Sequence, residues 1–204
     1  TMFIWQLKVN RHLRIIGGSV ILIMMIACHN KNVESLTDDN SSEWSSEDTF
    51  PKKIINEPEV EKNWIESIEE VQNSPLDVEY LIFREQGFSK FPEEVLLCEN
   101  LKELDISMNL IESLPVEINM LKKLESLTIA YSPLRSLPPE IGDLKNLKYL
   151  NLLDNELKTV PETIGRLTRL KFLNLSLNPI EDIPENISNL RQLERLGLHG
   201  KTES

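Results

Sequence analysis

Side chains able to carry acid–base or nucleophilic chemistry are few in this chain, and they are poorly placed for it. The three histidines are His12 in an apolar N-terminal segment, His29 just beyond it, and His199 in an incomplete last turn. Cys28 and Cys98 lie far apart and form no metal or redox spacing. No Ser/His/Asp order, glycine-rich phosphate loop or HExxH spacing occurs. Glu93, Glu94, Glu117, Glu140, Glu162 and Glu185 recur shortly after prolines, where they read as solvating charges in first turns rather than catalytic pairs. The residues therefore indicate no enzyme, no cofactor and no metal site. What remains is the chemistry of recognition. Tyr131, Tyr149, Leu153, Phe172 and Leu177 recur at fixed intervals beside Asn151, Asp154 and Asn174. Aromatic and aliphatic groups interleaved with amides make the composition of a protein-binding patch.

Those intervals come from a repeat. A 23-residue unit, written LKYLNLLDNELKTVPETIGRLTR over 147–169, starts at Val78, Leu101, Leu124, Leu147 and Leu170, with a shortened sixth copy at Leu193. A fixed period of this length signals a solenoid. Positions 1, 4, 6, 11, 14, 18 and 21 of each unit are apolar throughout, counting Cys98 as a small hydrophobe, so they form the core. Proline follows position 14 in every full unit (Pro92, Pro115, Pro138, Pro161, Pro184). Proline cannot serve a central ladder, so the strand lies earlier, where LxL alternates with period two. The stretch after proline suits a short 3₁₀ or helical turn. Positions 3, 5, 7 and 8 are left to line the opposite face, and the apolar and aromatic groups among them are expected to be exposed there.

The spelling LKELDISMNLIESLPVEINMLKK resembles the leucine-rich repeat family, and the likeness covers 127 of 204 residues. The resemblance implies an α/β solenoid: a right-handed coil with a parallel β-sheet on the concave face and short 3₁₀ or helical turns on the convex face. It implies that position 9 (Gln86, Asn109, Ser132, Asn155 and Asn178) carries an internal amide ladder bonding neighbouring turns. Gln86 and Ser132 depart from asparagine, so loosening or water is expected at those turns. It also implies that a protein ligand binds the concave face, through Tyr131, Tyr149, Asn151, Leu153, Asp154, Phe172, Asn174 and Leu177. Behind an export signal, the repeat looks most like exported proteins of the spirochaete (Leptospira) type, which are thought to contact host molecules. The alternatives are a structural envelope protein self-associating through its last turn, or an accessory domain of a regulatory complex.

The remaining segments set the expected address. Residues 1–27 carry Lys8, Arg11 and Arg14 and no acid, and Ile15 to Ala27 is apolar. That apolar run is too short to span a bilayer and fits a signal peptide. Met25-Ile26-Ala27-Cys28 resembles a bacterial lipobox, which implies a diacylglycerol on Cys28 and a lipid-anchored envelope protein. A secreted protein and an uncleaved anchor are the other outcomes. Residues 28–52 are acidic and Ser-rich and read as a disordered tether. Residues 53–77 read as an N-terminal helical cap, with Val60, Trp64, Ile65, Ile68 and Val71 on one face of a helix over Glu57 to Gln72. Residues 78–204 form the repeat domain. The formal charge is −11, which argues against nucleic acid as a partner.

Overall fold

A computed structural model describes residues 62–200. Cys28, the expected signal and tether segments and the first part of the expected cap lie outside them. Each unit contributes one three-residue strand from its positions 3–5: β2 Tyr80–Ile82, β3 Glu103–Asp105, β4 Ser126–Thr128, β5 Tyr149–Asn151, β6 Phe172–Asn174 and β7 Arg195–Gly197. The strands stack in chain order into one parallel sheet. Pairing joins identical repeat positions throughout, as in Thr128↔Asn151 and Asn151↔Asn174. Side chains alternate along a strand. Positions 4 and 6 thus enter the core, where Leu104, Leu127, Leu150 and Leu173 are buried. Positions 3, 5 and 7 line the other face as columns running from turn to turn.

Five 3₁₀ turns occupy the back of the coil: Glu93–Leu97, Val116–Met120, Pro139–Asp143, Glu162–Arg166 and Glu185–Asn189. Each is entered through the repeated proline, whose φ lies between −63° and −71°. The ring supplies that φ without further ordering, and its missing N–H is not needed at a helix start. The proline carbonyl then accepts the first bond of the turn, as from Ile164 N to Pro161 O at 2.9 Å. Neighbouring turns approach closely where position 19 is glycine. A Cβ on Gly165 would fall inside contact distance of the Asn186 carbonyl oxygen, and one on Gly142 inside that of Thr163.

The first described residues depart from the expected helix. Trp64–Ile65 is a strand, β1, paired in parallel with β2, and the helix α1 covers only Ile68–Asn73. The edge of β2 would otherwise present unpaired N–H and C=O groups, and an aromatic followed by a β-branched residue suits a strand that satisfies them. Trp64 then stacks on Tyr80 with ring centroids 5.6 Å apart, and the Lys62 ammonium lies over both rings. Val71 from α1 is fully buried in the core, and Ile65 and Ile68 pack against it. At the other end Leu196 and Leu198 hold inward positions yet are 38% and 46% exposed.

The position 9 side chains close the buried backbone where the chain leaves each strand. Asn109 Nδ2 donates to the carbonyls of Phe83 (2.7 Å) and Ile106 (2.8 Å), one turn back and in its own turn. Its Oδ1 accepts from the N–H groups of Gln86 and Phe88. Asn155 bonds Ile129 and Leu152 in the same way, and Asn178 bonds Leu152 and Leu175. Leu152 O thus receives two such donors. Ser132 is too short to repeat this, and Gln86 is exposed with its amide on the Arg84 carbonyl. The gaps expected at those turns are bridged by neighbours: Asn109 reaches Phe83 and Ile106, and Asn155 reaches Ile129, so each carbonyl keeps one donor. Ser132 Oγ itself accepts from Asn109 N at 3.3 Å.

Cys98 sits at inward position 21, fully buried, and burial pushes its thiol up to about 11. The folded state therefore holds the proton through the alkaline range in which the unfolded thiol gives it up. Stability from this group falls as pH rises from about 9 towards 11. Chemical denaturation across that range should show the slope in the wild type and a flatter one in Cys98→Ala.

Candidate functional site

Three columns build the concave face. Position 3 runs Trp64, Tyr80, Glu103, Ser126, Tyr149, Phe172 and Arg195 across the paired strands. Spacing alone puts Trp64 on a helix, but pairing puts it at the head of this column. Position 5 runs Ile82, Asp105, Thr128, Asn151, Asn174 and Gly197. Position 7 follows with Arg84, Ser107, Ala130, Leu153, Ser176 and His199.

The central column is polar and largely tied down. Arg84 pairs with the Asp105 carboxylate, whose other oxygen accepts from Ser107 N at 3.0 Å. Asn151 Oδ1 accepts from Leu153 N at 3.2 Å, and Asn174 Oδ1 from Ser176 N at 3.0 Å. Ser107 Oγ accepts from Ala130 N one turn on. The bonds of Asp105, Asn151 and Asn174 hold each side chain against its own strand exit, and that of Ser107 ties it to the next turn. Asn151 Nδ2 is buried with no hydrogen-bond partner.

Position 8 carries a backbone feature that its residue types do not announce. Glu85, Met108, Tyr131, Asp154 and Leu177 all have φ between 52° and 58°. A left-handed residue with a Cβ costs about 1 kcal/mol, and five turns repeat it at the same place. The reversal turns position 8 outward and leaves position 9 buried at Asn109, Ser132, Asn155 and Asn178. Tyr131 and Asp154 are half-buried, and Leu177 is 36% exposed.

The expected exposed aromatic patch is not what the structure contains. Tyr149 is 9% exposed and Phe172 only 3%. Parallel strands set side chains of one column about 4.8 Å apart. The two rings consequently pack on each other, with centroids 6.4 Å apart. Asn151 and Asn174 are buried as well, and Leu153 is half-buried. The proposed residues do converge on adjacent turns of one face, but among its large apolar groups only Leu177 is exposed, with Tyr131 and Leu153 half-buried. Among the described residues no group of His, Cys, Asp and Glu is arranged to hold a metal.

Comparison with known proteins agrees with the geometry. The leucine-rich repeat region family matches residues 126–204. The leucine-rich-repeat ectodomain of the receptor kinase SOBIR1 from Arabidopsis thaliana is 25% identical with a TM-score of 0.52, covering 62% of this chain and 74% of that one. The BIR2 ectodomain from the same plant is 28% identical with a TM-score of 0.50, covering 58% and 69%. A leucine-rich-repeat protein of Leptospira interrogans is 25% identical with a TM-score of 0.47; the match covers 70% of this chain and 48% of that one, so the chain spans about half its length. No curated protein matches the sequence.

Because its ring is buried against Tyr149, Phe172 should matter to the fold itself. Phe172→Ala should lower unfolding free energy by roughly 3 kcal/mol in urea denaturation, the usual scale for a buried phenylalanine.

Proposed function

We propose that this leucine-rich-repeat solenoid is a non-enzymatic, exported protein-binding module that takes its ligand on the concave sheet. The observation carrying the reading is the contrast between the two faces of each strand. Inward positions are apolar in every turn and mostly buried, whereas positions 3, 5, 7 and 8 vary in chemistry along the coil, from charged to amide to aromatic to aliphatic. A frame needs the first; only recognition makes use of the second. The likeness to a receptor-kinase ectodomain and to a second ectodomain supports both the binding role and a place outside the cytoplasm. Leu153 and Leu177 offer apolar surface next to the polar central column, a mixture suited to a protein partner. The Leu153→Arg/Leu177→Arg double variant should lose the partner, while its thermal midpoint stays within a few degrees of the wild type. Binding retained by that variant, measured on the partner recovered from native envelopes, would remove the concave face from consideration.

Export rests on the sequence of the first 28 residues. Three cations, an apolar run and Ala27-Cys28 support cleavage before Cys28 and attachment of a diacylglycerol there, with the acidic segment up to residue 52 as a tether between lipid and solenoid. Mass spectrometry of the native N-terminal peptide should find a lipid-modified Cys28. An intact peptide containing Met2 through Cys28 would rule out processing.

A further inference from the structure

We propose that Asn151 is the anchor of the binding face, and that its side-chain amide donates a hydrogen bond to a main-chain carbonyl of an extended, uncharged peptide segment of the partner. This rests on the concave face being the binding surface. Asn151 lies on β5 between Leu150 and Leu152, both in the core, so strand alternation points its side chain to the concave side. Its orientation is held by Leu153 N, which donates to Oδ1 at 3.2 Å. Its Nδ2 has no hydrogen-bond partner, and the residue is 4% exposed. A buried donor without an acceptor is costly, and structures keep few of them. A ligand acceptor seated there would remove the cost, which makes the position selective for a bound state.

The surroundings define the acceptor. Register places Thr128 and Asn174 on either side of Asn151, so the floor is polar and uncharged across three strands. The chain carries a formal charge of −11, which disfavours a carboxylate or phosphate as the acceptor. Leu153, two residues on, gives an aliphatic border to the floor. A polar floor with an apolar border suits an extended peptide that turns a carbonyl down and an apolar side chain outward. Since Nδ2 is shielded, the segment parts neighbouring side chains as it seats.

The test uses the full chain in mild detergent. A phage-displayed library of random 12-residue peptides is selected on it, and the most enriched peptide is synthesised, together with versions carrying one backbone ester each. Anisotropy then gives Kd for the wild type, Asn151→Asp, Asn151→Thr and Leu153→Arg. Thr already stands in this column at Thr128, and Asp at Asp105, where Arg84 pairs with it; Ala130 takes the place of Arg84 beside residue 151, so thermal midpoints check that each variant folds. Asn151→Asp keeps the acceptor for Leu153 N, removes the donor and adds a negative charge, whereas Asn151→Thr removes the amide donor without adding charge. The expected result is an uncharged peptide bound about tenfold more weakly by both Asn151 variants, the scale of one hydrogen bond. One ester should weaken wild-type binding and leave Asn151→Asp unchanged. If Leu153→Arg abolishes binding while both Asn151 variants bind as the wild type does, the anchor is wrong and the concave reading stands. If none of the variants alters binding, or no peptide is enriched, both fail.

Discussion

Everything in this solenoid depends on closing backbone carbonyls that the coil buries where each strand ends. The positions that do so are not the leucines that give the repeat its look. Burying the leucine rows supplies the drive to fold. Yet that burial takes Phe83, Ile106, Ile129, Leu152 and Leu175 carbonyls away from water, and an unpaired buried carbonyl would offset much of it. Three asparagines close all five. Each bonds its own turn and the turn before, so the ladder also fixes the register between turns. The left-handed residue at position 8 is the backbone cost of bringing the amide inside.

The same device positions the candidate site. With position 9 drawn inward and position 8 turned outward, Tyr131, Asp154 and Leu177 are presented at the rim of the concave face by backbone geometry common to all five turns. Strand pairing in constant register lines up positions 3, 5 and 7 into columns. Neighbouring side chains of one column touch, as Tyr149 and Phe172 do. Thus the face behaves as a packed layer, in which Asn151 is shielded until something displaces its neighbours.

Much of the architecture was legible in the sequence, because a 23-residue period repeats its inward positions without insertion and proline marks the entrance to each 3₁₀ turn. Three things were not. Trp64 and Ile65 fit the spacing of a helical face with Ile68 and Val71, and only the open edge of β2 decides for a strand. Exposure of Tyr149 and Phe172 could not be judged from either residue alone, since it depends on what stands beside them in adjacent turns. The left-handed φ at position 8 falls on Glu, Met, Tyr, Asp and Leu, none of them glycine, so residue type concealed it. Leucine at 177 is tolerated because Asn178, the next residue, bonds the turn on both sides.

The single serine in the ladder has a consequence for how such a chain can grow. A position 6 carbonyl draws its donor from its own turn or from the next one. Ser132 is harmless because Asn109 stands before it and Asn155 after it. Copying the third unit in tandem would put two serines side by side, and the carbonyl between them would have no amide within reach. Asparagine-bearing units can be duplicated freely, whereas the serine-bearing one can only be interleaved. Lengthening of this solenoid is therefore governed by a nearest-neighbour rule, much as the order of letters is restricted in a code that forbids a doubled symbol.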